Sequence, residues 1–159
     1  MSDPRTVLVT GGNRGIGLAI ARSFAKAGDR VVDLVVGTAE EYLLIACAKG
    51  YGKRTLIDEF RLTKRGSQGV VGIRANERNG AVVNTINASR CEDVLLSSAA
   101  GMLVRTPVEQ VSTQGRATQG VRLVNLKDGD VLVGVAAVPP EDAEEAEDAV
   151  VEPVEGSED

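Results

Sequence analysis

The sequence predicts a mainly β fold: two propeller-like blades of four short antiparallel strands each, preceded by one strand-turn-helix and followed by a disordered tail. Three observations predict it. The stretch after Glu41 repeats itself at an offset of 51 residues. The first thirty residues carry a different pattern, an apolar run, a glycine-rich turn and apolar residues at helical spacing. Charge is also segregated. Residues 1–127 hold all 18 Lys and Arg against eleven acids, a net +7, whereas residues 128–159 hold twelve acids and no base. The overall charge of −5 therefore hides a basic body. The expected units are residues 1–30, 31–138 and 139–159.

Composition excludes several chemistries. The chain has no His, which removes Ser-His-Asp triads and most zinc sites. Its two cysteines, Cys47 and Cys91, are too few for a disulfide framework or a four-thiolate metal site, and they read as free thiols in a reducing cytoplasm. No metal ligand set is expected. Aromatics are 3% with no Trp, so a large aromatic core is not expected. No run approaches the roughly 18 apolar residues of a membrane helix. Met1–Arg5 lack the start of a signal peptide. The expectation is a cytoplasmic chain with no membrane partner.

The first element is a strand over Thr6-Val7-Leu8-Val9, short, apolar and β-branched, as in a buried parallel sheet. Thr10-Gly11-Gly12-Asn13-Arg14-Gly15-Ile16-Gly17 makes the turn. Leu18, Ile20, Ala21, Phe24 and Ala25 then follow at helical spacing, and Gly28 ends the helix. Gly11 permits the tight turn, while Gly15 and Gly17 let backbone amides approach a pyrophosphate at a helix N-terminus. The pattern of Thr10, Gly11, Gly15 and Gly17 resembles the start of the short-chain dehydrogenase/reductases, and Val7 to Ala27 looks most like a 3-oxoacyl-carrier-protein reductase. The resemblance implies NADP as cofactor, with Asn13 and Arg14 near the ribose or its 2′-phosphate. Asp33 stands about where a ribose-binding acid is expected. The family's Tyr-x-x-x-Lys pair is missing: four residues after Tyr42 and Tyr51 stand Ala46 and Thr55.

The repeat sets the next elements. Glu41 matches Glu92, Leu43-Leu44 matches Val94-Leu95, and Gly50 matches Gly101. Arg54-Thr55 matches Arg105-Thr106, Arg65 matches Arg116, and Gln68-Gly69-Val70 matches Gln119-Gly120-Val121. Asn79-Gly80 and Asp128-Gly129 supply the positive φ of type I′ hairpin turns. They are flanked by apolar runs, Val70–Ile73 with Ala81–Ile86 and Val121–Leu126 with Val131–Val138. Short strands and turns in units of about 50 residues mark propeller blades.

Gly50-Tyr51-Gly52-Lys53-Arg54-Thr55, Asn76-Glu77-Arg78-Asn79-Gly80, Val104-Arg105-Thr106 and Gly115–Val121 resemble blades of the DNA gyrase A C-terminal domain, acidic tail included. The resemblance runs from about Val31 onward and implies the last two blades of a β-pinwheel. Its function would be non-specific binding and wrapping of duplex DNA, which supports supercoiling driven by ATP on a partner protein. The implied partners are duplex DNA through its phosphates, the rest of gyrase A, and gyrase B. No catalytic activity is expected from this chain alone.

Wrapping requires Lys and Arg that neutralise phosphates without reading bases. The candidates are Lys53, Arg54, Lys64, Arg65, Arg74, Arg78, Arg105, Arg116 and Arg122. Arg54 and Arg105 also stand four residues before Asp58 and Glu109, where an ion pair accounts for them equally well. Gln68-Gly69 and Gln119-Gly120 are expected to shape turns. The tail from Glu141 to Asp159, with ten acids and no base, is read either as an internal competitor for the basic face or as a solubilising terminus. The two resemblances meet at Gly28–Val31, as in a joined, chimeric chain, and open blade edges invite self-association.

Overall fold

The computed structural model describes residues 6–10, 30–62 and 70–140, with the backbone alone at 6–10, 30–32 and 34. Strand β1 (Thr6–Thr10) pairs in parallel with β2 (Arg30–Val35), Thr6 opposite Arg30 and Thr10 opposite Val35. The expected first strand is therefore present. The expected helix and the acidic tail lie outside the described residues.

Two antiparallel sheets follow. The first contains β3 (Tyr42–Cys47), β4 (Tyr51–Leu56), β5 (Val82–Asn87) and β8 (Val121–Arg122), in the order β5-β3-β4-β8. The second contains β6 (Asp93–Ser98), β7 (Leu103–Pro107) and β9 (Leu132–Val138), in the order β7-β6-β9. The repeat is visible in the backbone. β3 turns into β4 through Gly50 at φ 77°, and β6 turns into β7 through Gly101 at φ 85°. In each turn the glycine N–H donates to the carbonyl three residues back, Cys47 or Ser98. A side chain is strained at such φ, so the repeat keeps glycine there.

The core explains why β3 is an unbroken apolar run. Leu43, Ile45 and Cys47 face one cluster with Val35 and Ile73. Leu44 and Ala46, pointing the other way, face a second cluster with Ala88, Val94, Leu96, Val108, Val124 and Val135. A strand covered on both faces loses the polar alternation of a surface strand. Burial raises the Cys47 thiol pKa to about 11, so that group is a packed apolar filler.

Three expectations are corrected. The blades are not self-contained: β8 comes from the second repeat but completes the first sheet, so the first has four strands and the second three among the described residues. Val70–Ile73, expected as a strand, lies outside every described strand. The Asn79-Gly80 and Asp128-Gly129 turns are not type I′ hairpins. Only Gly80 and Gly129 have positive φ, whereas type I′ needs it at both central residues. The second turn does not join hairpin partners either, since β8 and β9 lie in different sheets. The glycine signal is local and correct. The pairing is decided by distant packing.

Candidate nucleic-acid interface

The site forms where the two repeats meet along β4. Asn79 organises it. Its side chain is buried, and its Nδ2 donates to the carbonyls of Arg74 at 3.0 Å and Gln119 at 2.9 Å, one in each repeat. Its Oδ1 accepts from the Asn76 N–H at 2.8 Å. The Arg78 N–H donates to Asn76 Oδ1 at 2.9 Å, a local turn typical of Asn. The Arg74 N–H donates to the Thr118 carbonyl at 2.9 Å. Together these bonds fix the 74–80 loop against the 118–120 turn and leave the Arg74 and Arg78 side chains exposed.

Tyr51 gathers the charges. The register of β4 and β8 sets Tyr51 opposite Arg122. Arg122 Nη2 donates to the Tyr51 hydroxyl at 2.7 Å, and Nη1 donates to Asn125 Oδ1 at 2.9 Å. The guanidinium carbons of Arg78 and Arg122 lie 4.9 and 5.2 Å from the Tyr51 ring centroid, within cation–π range. The Arg122 hydrogen bond, then that of Arg78, lowers the phenol pKa. Among the described residues neither arginine pairs with a carboxylate; the ion pairs found are Arg90–Glu41 and Arg105–Asp93. Two cations thus lie over one ring with no carboxylate partner among the described residues.

The other expected contacts divide. Lys53 is fully buried, and its Nζ donates to the carbonyls of Gly115 at 2.5 Å and Arg116 at 2.6 Å. Desolvation lowers its pKa to about 8. It therefore locks the second repeat's loop to β4 and presents no charge outward. Arg54 also braces that loop. Its Nε donates to the Val111 carbonyl at 2.8 Å and its Nη2 to that of Glu109 at 3.2 Å, and the group lies over Tyr42. The ion pair with Asp58 is not formed; nor is that of Arg105 with Glu109, because Arg105 Nε pairs across the strands with Asp93. Arg116 is half-buried, its Nη1 donating to the Val71 carbonyl at 2.9 Å and its N–H to Glu59 Oε2 at 2.8 Å. Lys64 and Arg65 lie outside the described residues.

Sequence reasoning missed Tyr51 as organiser and Lys49 as a neighbouring cation. Lys49 is exposed in the β3–β4 turn, with its Nζ donating to the Glu77 carbonyl. Its place two residues before Tyr51, which the repeat turns into Ala100 before Met102, was an available signal.

Of the nucleotide-site candidates, Gly11, Asn13, Arg14, Gly15 and Gly17 lie outside the described residues. Asp33 Oδ2 accepts from the Thr85 N–H at 3.2 Å and Asn84 Nδ2 at 3.1 Å, which ties β2 to β5. No helix among the described residues is long and apolar enough to cross a membrane.

Comparison with known proteins agrees with this architecture. The family model described as DNA gyrase C-terminal domain, beta-propeller, matches residues 41–89 and 92–139. The DNA gyrase A protein of Chlamydia trachomatis is 44% identical over 124 residues, which is 78% of this chain and 14% of that protein. Its Escherichia coli counterpart is 36% identical over 148 residues, 93% of this chain and 16% of that protein. That match must include part of the first thirty residues, and nothing in these comparisons supports a dehydrogenase segment or a chimeric join. This chain spans about a seventh of the length of such relatives. Among solved structures, that of the DNA gyrase A C-terminal domain superposes with a TM-score of 0.59 at 32% identity, over 65% of this chain and 36% of that one. The C-terminal domain of DNA topoisomerase IV superposes at 0.58 with 24% identity, over 65% and 31%, which shows a shared fold. Because that family model matches both repeats, residues 41–89 and 92–139, more than half of the sequence, this chain belongs to the DNA gyrase A C-terminal domain family.

Proposed function

We propose that this chain forms part of a surface that wraps duplex DNA within gyrase A, contacting phosphates and reading no bases. The observation that carries the proposal is the set of exposed guanidiniums at the junction of the repeats. Arg74, Arg78 and Arg122 have no carboxylate partner among the described residues, and two of them are oriented by Tyr51. Family membership supports the same reading. Wrapping demands no general base, nucleophile or bound metal, only cations spaced along a rigid edge. In this proposal residues 31–138 are the wrapping unit and 139–159 an acidic tail. The rest of gyrase A and its partner gyrase B complete the assembly, and the ATP-dependent chemistry belongs to that assembly.

Fluorescence anisotropy with two duplexes of unrelated sequence tests the proposal. Both should bind weakly and equally near about 50 mM salt, and both should be released as salt rises. Binding of one duplex only, or of neither by the chain cut after Pro140, would refute it.

A further inference from the structure

The sequence contains one Asn-Gly pair, Asn79-Gly80, and the fold puts it at the junction of the two repeats. Such a pair is chemically unstable in a free chain. The Gly backbone nitrogen attacks the Asn side-chain carbon, and glycine has no Cβ to obstruct the approach. Here the Asn is also the residue that pins the Arg74 and Arg78 loop in place.

Every group the reaction needs is engaged in the folded chain. The Gly80 N–H, the nucleophile, donates to the Asn76 carbonyl at 2.8 Å. The Asn79 Nδ2, the leaving group, donates to the Arg74 and Gln119 carbonyls. Asn79 Oδ1 accepts from the Asn76 N–H, and the Asn79 carbonyl accepts from the Lys49 N–H at 3.0 Å. The residue is fully buried, which keeps out the water that hydrolysis consumes. These bonds come from three segments: the β3–β4 turn, the 74–80 loop and the 118–120 turn. The pair is therefore released only when the loop parts from both neighbours, a local opening.

The second repeat shows what the product does. Asp128-Gly129 stands in the matching place and is exposed, with Gly129 at φ 80° and Gly80 at φ 75°. A glycine turn of this kind thus accepts an acid before it. The pin does not. An ionised carboxylate has no hydrogen to donate to the Arg74 and Gln119 carbonyls, and it buries negative charge against two oxygens.

We propose that Asn79 is a modification site, deamidating while the repeat junction is open and so disabling the cationic corner permanently. The Gly80 nitrogen bonds to Asn79 Cγ, the Cγ–Nδ2 bond breaks, and ammonia leaves with the Gly80 amide proton. Water then opens the cyclic imide at either carbonyl, giving aspartate or isoaspartate. Nothing is oxidised or reduced. Isoaspartate also lengthens the main chain between Arg78 and Gly80, so the loop cannot regain its fit. A duplex held from both sides of the junction keeps it shut and slows the reaction. The loss of DNA contact rests on the proposed function; the loosening of the junction does not.

Ageing the full chain in mildly alkaline buffer tests this, with samples kept alone, with excess duplex, and in urea. Isoaspartate is quantified by methyltransferase labelling and located by peptide mapping. The folded sample should gain it at position 79 about tenfold or more slowly than the urea sample, and duplex should slow it further. After refolding of the aged chain, the Arg74 N–H, bonded to the Thr118 carbonyl, should exchange with solvent faster than in the parent, with β6 amides alike. Duplex affinity should fall by about tenfold or more, as for one lost phosphate contact at low salt. Asn79→Asp should reproduce both changes. Equal isoaspartate rates in folded and urea samples, or unchanged Arg74 exchange, would overturn the proposal. So would unchanged duplex affinity in a deamidated chain whose parent binds. A parent that binds no duplex overturns the proposed function instead, and the exchange result then decides the modification.

Discussion

At the scale of single residues, the same charge type takes opposite roles, and burial decides which. Lys53 and Arg122 both read as phosphate contacts in the sequence. Lys53 lies beneath the loop at Gly115–Arg116 and satisfies two carbonyls; Arg122 stands on Tyr51 in solvent. Lys53→Met should therefore destabilise the fold by about 1–3 kcal/mol in urea unfolding, because it strands those carbonyls. The folded variant should keep the parent affinity for duplex DNA. The pH dependence separates the roles further. The folded Lys53 pKa, about 8, lies below its ordinary 10.5. Between those values the unfolded chain binds more protons, so this group's contribution to stability rises with pH across that window. That slope should vanish in Lys53→Met. Glu41 behaves in the opposite way. The Arg90 hydrogen bond and the Thr38 N–H hold its carboxyl at about 2 against an ordinary 4.5. Its contribution is complete above 4.5 and is lost as pH falls towards 2, a loss that Glu41→Gln should remove from an acid-unfolding curve. The sequence could not rank these cations, since a lysine on a strand carries no local sign of what will cover it.

At the scale of elements, most strand positions were legible, Val70–Ile73 excepted, and strand partners were not. The apolar runs of β3, β6 and β9 and the Gly50 and Gly101 turns follow from local chemistry, and the repeat doubles each signal. The pairing of β8 with β4 brings Arg122 to Tyr51 across 71 positions. It depends on Gly120 at φ 79° passing close over the Gly52 carbonyl, which no window of neighbouring residues encodes. This is why the Asn-Gly and Asp-Gly signals suggested hairpins that do not exist. A comparison of the two turn glycines tests the pairing of β8 with β4. Alanine at positive φ costs about 1–2 kcal/mol. Gly101→Ala should cost that amount and no more. Gly50→Ala should cost measurably more in the same thermal or urea experiment, because its Cβ also strikes the carbonyl of Val124.

At the scale of the whole molecule, charge segregation and the meeting of the repeats lead to one function. The basic body was legible from counting alone. The site was half legible: Arg74, Arg78 and Arg122 were named from the sequence, but their convergence needed Asn79 to pin two loops together and Tyr51 to hold two guanidiniums. The ten acids after Pro140 are opposite in charge to that face. Removing residues 141–159 should tighten duplex binding at low salt and make little difference at high salt, where screening has already weakened the competition. The most direct measurement is the salt dependence of duplex affinity for the parent chain and for Arg78→Ala/Arg122→Ala, both titrated by anisotropy. Three phosphate contacts predict that log K falls against log salt with a slope of about −3 for the parent and about −1 for the double variant, with unfolding midpoints alike. Equal slopes for the two proteins would contradict the claim that these guanidiniums hold the DNA backbone.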